Sequence, residues 1–392
     1  MPGDPIRREL ARLRRPALAA AVIGLAACAA GFFLDRQLLL RSYLLAFLFW
    51  TGLSLGSLGL LMVQHLSGGR WGFAIQRPLE AAAKVLPLCA LLFLPILLGQ
   101  AEIYEWAHED VVAGDPVLEL RVGRYLNTPF FVARAVLYFL VWCGLALLLA
   151  GKSRARDEGA ASAVKWLKGV SGPGLVLLGL SITFASIDWS MSTEPHWFST
   201  MYGLHYMAGY GLSALLLMVL VMARLRHWEP ASRVAQPPLF HDLGTLSFAL
   251  TMVWAYFSFS QYLIVWSGNL PEETPWYARR AQGGWEALAA ALLLLHFVVP
   301  FFLLLSRRLK RSAVVLARVA LCLLALRVLD LYWVLAPAFH PAGPSPHWLD
   351  LATLLGLGGL WLLVFYRNLG AAPLLAREDP RAAQLESQAH PA

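Results

Sequence analysis

Ten apolar stretches run through this chain, nearly all long enough to cross a bilayer, and arginine and lysine crowd into every second connection between them. A hydrocarbon core of about 30 Å takes roughly 20 apolar residues in a helix. The sequence predicts such spans at 16–35, 42–66, 79–99, 130–151, 173–192, 198–225, 241–268, 284–305, 313–337 and 347–368. One set of connections carries Arg7, Arg8, Arg12, Arg14 and Arg15, then Arg70 and Arg77, then Lys152, Arg154, Arg156, Lys165 and Lys168. It continues with Arg224, Arg226 and Arg233, with Arg307, Arg308, Lys310 and Arg311, and with Arg367, Arg377 and Arg381. The alternate set holds only Arg36, Arg41, Arg121, Arg124, Arg279 and Arg280. Basic residues mark the cytoplasmic face, so the expectation is a multi-pass membrane protein with both termini in the cytoplasm. A missed or invented helix in the middle would scramble the alternation.

Composition agrees: 58% of the 392 residues are apolar and 14% charged, with a mean hydropathy of +0.59. The fold class expected is all-α and polytopic. A basic N-terminus at 1–15 precedes a single ten-helix domain at 16–368, and a loosely ordered tail at 369–392 follows, rich in Ala, Pro, Arg and Glu without periodicity. The net charge of +8 is the topology signal itself, reinforced by attraction to anionic membrane lipids, and calls for no nucleic acid. Cys28, Cys89, Cys143 and Cys322 all fall inside spans with no close pair, which argues against disulfides, zinc and iron–sulfur ligation. Leu25-Ala26-Ala27-Cys28 also has the look of a lipidation box, but the apolar run continues through Phe32, Phe33 and Leu34, which suits an uncleaved anchor better.

Ionisable groups inside spans turn toward the bundle or a wet cavity and are functional candidates by default. Here they are densest toward the outer side. Asp188 on the fifth span shares a face with Ser181. The sixth span carries a polar stripe of Tyr202, His205, Tyr206, Gly209 and Ser213, and the seventh a stripe of Thr251, Ser258, Gln261 and Tyr262 with Tyr256 beside it. Arg327 and Asp330 on the ninth, three residues apart, can neutralise each other. Glu286 and Asp350 lie near outer ends, His296 near mid-membrane, and His241 and Asp242 at an inner mouth. Such a set can pass protons between midplane and exterior, or hold a quinone ring between aromatic walls; each residue alone also has a plain packing role available. Haem needs histidines facing across helices, and no such set is present; nor is a nucleotide-binding motif. The acidic loop at about 100–129 offers a docking surface for an external partner or is simply solvated.

Between the fifth and sixth spans lies Asp188-Trp189-Ser190-Met191-Ser192-Thr193-Glu194-Pro195-His196-Trp197-Phe198-Ser199-Thr200. Pro195 fits a helix break, and the tryptophans fit interfacial anchoring. The segment resembles the SLEPHW-ST signature of ActF, a membrane subunit family of bacterial alternative complex III, a quinol:cytochrome c oxidoreductase. His241-Asp242-Leu243-Gly244, Trp254-Ala255-Tyr256 and the run from Phe259 to Trp266 resemble the same family's core, and Pro271-Glu272-Glu273-Thr274-Pro275-Trp276-Tyr277 its following outer loop. The strongest similarity covers about residues 180–280. Thr193 stands where the family has Leu, Pro275 is a further departure, and Arg279 and Arg280 make this loop more basic.

The resemblance implies an NrfD-related fold of two four-helix bundles flanked by extra helices. It implies as partners an NrfD-like quinone-binding sister subunit, a periplasmic iron–sulfur subunit and multihaem c-type cytochromes. It carries Asp188, Glu194, His196, His241, Asp242, Tyr256, Gln261, Glu272 and Glu273 over as site residues, with Glu272 and Glu273 facing partners. The function expected is that of a non-haem subunit, with no metal or covalent cofactor of its own, that contributes a proton path and a possible quinone or quinol site. Asp188, His205, Gln261, Arg327 and Asp330 would line the outer path, Tyr256 and His296 its middle. On this reading Asp188→Asn lowers proton release and leaves assembly intact. The alternatives are a secondary transporter, for which Pro87, Pro95 and Pro300 would mark broken helices, and an anchor for periplasmic redox subunits.

Overall fold

The computed structural model describes residues 5–157 and 162–375. The side chain of Arg156, the arginines Arg377 and Arg381 and the tail beyond residue 375 lie outside the described residues. Ten long helices cross the molecule: α1 (Pro5–Leu34), α2 (Arg36–Ser67), α3 (Arg70–Leu98), α4 (Thr128–Asp157), α5 (Ser162–Trp189), α6 (Tyr202–Leu225), α7 (Pro237–Gly268), α8 (Trp285–Leu305), α9 (Ala313–Leu335) and α10 (Trp348–Gly370). Among the described residues there is no strand. Nine of the helices are long and apolar enough to span a membrane. The exception is α9, in which every 18-residue stretch contains Arg318, Arg327 and Asp330. It packs along α6 as a full member of the bundle. The arginine-rich segment before residue 16 is not a separate tail, since α1 already begins at Pro5.

Helices α2 to α5 pack as one four-helix group and α6 to α9 as a second, joined along α2 and α6. Helices α1 and α10 form a tight pair laid against α2. Small residues set that pair: a Cβ added to Gly24 would lie 2.2 Å from the Gly356 backbone nitrogen, and one added to Gly359 2.3 Å from that of Ala21. In hydrocarbon, helix association relies on such close packing because burial of apolar surface gives no gain. Arg14 on α1 donates to the Tyr366 carbonyl on α10, so the start of α1 and the end of α10 lie at one end of the bundle. The arginine-rich connections share that end, called here the basic end; the loop at 100–127 lies at the other, the acidic-loop end.

Prolines break α3 into Arg70–Ala83, Leu86–Leu92 and Leu94–Leu98, with Pro87 and Pro95 at the starts of the later pieces. A proline cannot donate and displaces the carbonyl a turn earlier, and carbonyls freed inside a membrane need new donors. Helix α2 supplies them: Ser54 Oγ donates to Ala82 O (2.9 Å) and Tyr43 Oη to Leu92 O (2.7 Å).

Replacing Gly356 by Leu forces α1 and α10 apart. Overpacking of this kind costs about 1–3 kcal/mol, and the detergent-solubilised variant is expected to melt below the wild type, whereas Gly144→Leu, where an added Cβ meets nothing, is expected to melt with it.

Candidate functional site

The core of the second bundle holds a polar cluster drawn from all four helices. On α9 the three-residue spacing puts Arg327 and Asp330 on one face, and Arg327 Nη1 meets Asp330 Oδ2 at 2.5 Å with both side chains buried. The guanidinium occupies a notch left by Gly209 on α6, where an added Cβ would lie 1.9 Å from Nη2. His205, also on α6, places Nε2 3.4 Å from Asp330 Oδ2 and Nδ1 3.1 Å from Ser258 Oγ on α7. Ser258 spends its single hydrogen on the Trp254 carbonyl at 2.8 Å. It therefore accepts from His205 Nδ1, leaving Nε2 to face a carboxylate oxygen. At 3.4 Å, Nε2 faces Asp330 Oδ2 and makes no hydrogen bond to any described protein atom.

His296 on α8 lies in a π-helical stretch, Leu293–Val298, a distortion frequent at functional sites. It is fully buried, its ring centroid is 4.1 Å from that of Trp254, and neither ring nitrogen meets a protein partner. Trp254 Nε1 and Arg327 Nε are likewise buried without a protein partner. An unsatisfied buried polar atom costs about 1–3 kcal/mol, and the five of this cluster, counting His205 Nε2, fit a site hydrated by bound water. From this cluster a hydroxyl chain leads toward the acidic-loop end. Tyr206, next to His205, shares the Ser190 hydroxyl with Tyr202, both contacts being 2.6 Å.

Asp188 lies elsewhere. In the first bundle Arg134 of α4 grips it bidentately, Nε to Oδ2 at 2.8 Å and Nη2 to Oδ1 at 3.0 Å, and Tyr138 Oη adds 2.8 Å to Oδ2. Arg134 is itself stacked against Tyr125 and Phe130. This carboxylate is closed off by its partners rather than placed on the path with His205 and Asp330. Sequence reasoning missed Arg134 and Tyr138, although an arginine inside an apolar span signals a carboxylate partner. It also missed the buried set Gln76, Arg77, Glu80 and Ser153 between α3 and α4, in which Arg77 Nη1 meets Glu80 Oε2 at 2.6 Å.

The turn after α5 is a latch. Glu194 accepts from Arg280 Nη2 at 2.7 Å and Arg279 Nη1 at 2.9 Å. Arg280 lies 3.5 Å over the Trp276 ring and also donates to the carbonyls of Trp276, Trp333 and Val334. Burial pulls its pKa below the usual arginine value and the Glu194 charge opposes that. Trp197 stacks on Trp276 at 4.7 Å and donates to Glu273 O. Arg121 donates to Pro195 O, and His196 Nε2 meets Asp115 Oδ2 at 2.5 Å. The two arginines that make this loop basic thus serve an internal bond. Glu273 is tied into the latch through its backbone, whereas Glu272 is exposed.

The remaining candidates scatter. Gln261 accepts from Ser199 Oγ at 3.4 Å. Tyr256, expected in the middle of the path, is 65% exposed on the outer face of α7, because it lies two residues from Trp254 and Ser258 and so points away from them. Glu286 is exposed and accepts from Gly284 N at the start of α8. Asp350 caps α10 together with His347 and accepts from Ser42 Oγ at 2.6 Å. It lines a crevice with Arg41, Ser42, Tyr332, Phe339 and His340 of about 20 Å³, room for a water but not for a quinone ring. At the basic end Asp242 binds Arg70, linking α7 to α3, with His241 Nδ1 3.8 Å from its other oxygen. Among the described residues no three His, Cys, Asp or Glu side chains gather as a metal site. No family model matches the chain, and no curated protein matches it.

Asp188→Asn leaves Arg134 buried with half its partner. The sequence-based expectation of an intact assembly is therefore replaced: breaking a buried pair costs about 3–5 kcal/mol, and the variant is expected to lose most of its yield of folded protein, as read by size-exclusion of solubilised membranes. Asp115 is held below the usual carboxylate range first by the Leu118 backbone N–H and then by His196. Its depressed pKa means that its contribution to stability is present above the unfolded-state value of about 3.9 and fades as pH falls through the folded one. Protection against hydrogen exchange across 190–200 is expected to hold down to about pH 4 and fall only below it, whereas Asp115→Asn is expected to be less protected at higher pH and to converge with the wild type in acid.

Proposed function

We propose that this chain is the non-haem, proton-conducting membrane subunit of a quinol:cytochrome c oxidoreductase of the alternative complex III type. In this reading it lies in the bacterial inner membrane with its basic end and both termini in the cytoplasm. The observation that carries the reading is the buried contact of His205 with Asp330 in a cluster where His205, His296, Trp254 and Arg327 all present unpaired polar atoms. The motif resemblance at 180–280 and the arrangement of two four-helix bundles with a flanking pair support the assignment to that complex.

Arg327 holds the Asp330 carboxylate at 2.5 Å, and His205 Nε2, facing the same carboxylate, is the group that would take up and pass on a proton. Ser258 fixes the imidazole in the orientation that faces Asp330. Protons leave through bound water and the hydroxyls of Tyr206, Ser190 and Tyr202 toward the acidic-loop end. Quinol oxidation belongs to the sister subunit, and the electrons pass through the iron–sulfur and multihaem partners.

In the assembled complex in liposomes, His205→Gln, which leaves the Arg327–Asp330 pair intact, is expected to keep quinol oxidation within about twofold while proton release per electron falls. Ser190→Ala, which removes one hydroxyl and no charge, is expected to slow release about a hundredfold, the lower end of the range for a single proton-transfer group. Unchanged proton stoichiometry in both would leave only the anchoring role. A secondary transporter is the second reading, favoured by the breaks in α3 and the π-helical stretch of α8; it requires uptake by the lone chain in liposomes, where the oxidoreductase requires co-purification with haem-absorbing subunits.

A further inference from the structure

Between α8 and α9 the short helix Arg307–Arg311 holds Arg307, Arg308 and Arg311 exposed at the basic end, while Lys310 turns inward to Thr245. Arg318 follows on α9. It belongs to that helix's outward stripe with Val314, Leu321, Cys322 and Leu329, opposite the face that buries Arg327 and Asp330. None of these four arginines makes a hydrogen bond or ion pair with another described residue.

The depth of Arg318 is what sets it apart from an ordinary interfacial cation. At 1.5 Å per residue it lies about 8 Å along α9 from Ala313, past the apolar Val314, Val315 and Leu316. Arg134 lies at a similar depth from the opposite end, on α4, and there the protein supplies a bidentate carboxylate and a tyrosine hydroxyl. For Arg318 the protein supplies nothing, and the side chain faces away from the bundle, where an unpaired guanidinium among apolar side chains is costly. Its paired N–H groups match the oxygens of a phosphate.

We propose that Arg318, with Arg308 and Arg311 above it, binds the phosphate of an anionic phospholipid at the basic end of α8 and α9. The apolar flank argues for a lipid as the source of that phosphate. Phe302, Leu305 and Leu321, all more than half exposed, lie on the same two helices and are covered by the acyl chains. A free anion could not cover them, and a soluble acidic peptide would have to enter the depth of Arg318. The site stands apart from the polar cluster and does not depend on what that cluster conducts.

Native mass spectrometry of the full chain in neutral detergent, titrated with phosphatidylglycerol or phosphatidylcholine, tests this. The wild type is expected to retain phosphatidylglycerol preferentially, and Arg318→Gln to weaken it by roughly fivefold, the scale of one basic side chain at an anionic surface. Arg308→Gln/Arg311→Gln should lower it by a comparable factor for each charge removed, again roughly fivefold. Arg318 is exposed and unpaired, so Arg318→Gln should melt with the lipid-free wild type. Equal retention of phosphatidylcholine, unchanged phosphatidylglycerol retention in Arg318→Gln, or displacement of the lipid by inorganic phosphate would overturn the proposal.

Discussion

Taking an ion out of water into a low-dielectric interior costs several kcal/mol even after relaxation, and the arrangement of these helices follows from where that cost is offset. Arg134 and Asp188 tie α4 to α5, and Arg327, Asp330 and His205 tie α9 to α6. Glu194 and Arg280 close the acidic-loop end, while Arg70 with Asp242 and Glu9 with Arg224 close the basic end. Apolar side chains cannot specify these partners, because lipid tails are as good a neighbour as leucine. Charge matching and the small-residue seam between α1 and α10 carry the specificity instead.

The two bundles meet this constraint differently. In the first, the network around Asp188 is closed, with both carboxylate oxygens occupied, although the Gln64 amide on α2 and the Trp189 indole nitrogen on α5 are buried without a protein partner. In the second, the pair Arg327–Asp330 is complete, yet His296, Trp254 and one nitrogen of Arg327 are left for something other than protein. A closed network holds helices in place; an open one of the same residue types can exchange protons. That contrast, rather than the number of ionisable groups, separates a structural pair from a conducting one.

Helix number and the Arg327–Asp330 pair were legible in the sequence, because each rests on a local pattern of length, spacing or charge. The grouping into two bundles entered only through the motif resemblance. Asp188 shows where reading stopped: its sequence position resembles that of His205, but its partner Arg134 lies 54 residues earlier, and no local pattern joins them. Tyr256 was placed inside because it is polar; its facing is set by Trp254 and Ser258, which own the inward side of α7. Arg279 and Arg280 read only as a departure that makes the outer loop more basic; the carboxylate they serve, Glu194, lies in the chain itself.

The charge content of α9 bears on how the chain enters the membrane. With Arg318, Arg327 and Asp330 in every stretch long enough to span, α9 is a poor insertion signal by itself. Its needs are met by residues already synthesised: the Gly209 notch, His205, and the neighbouring face of α6. This helix is therefore a late guest that settles into a membrane already furnished by its predecessors, so its threading depends on their prior assembly more than on its own greasiness.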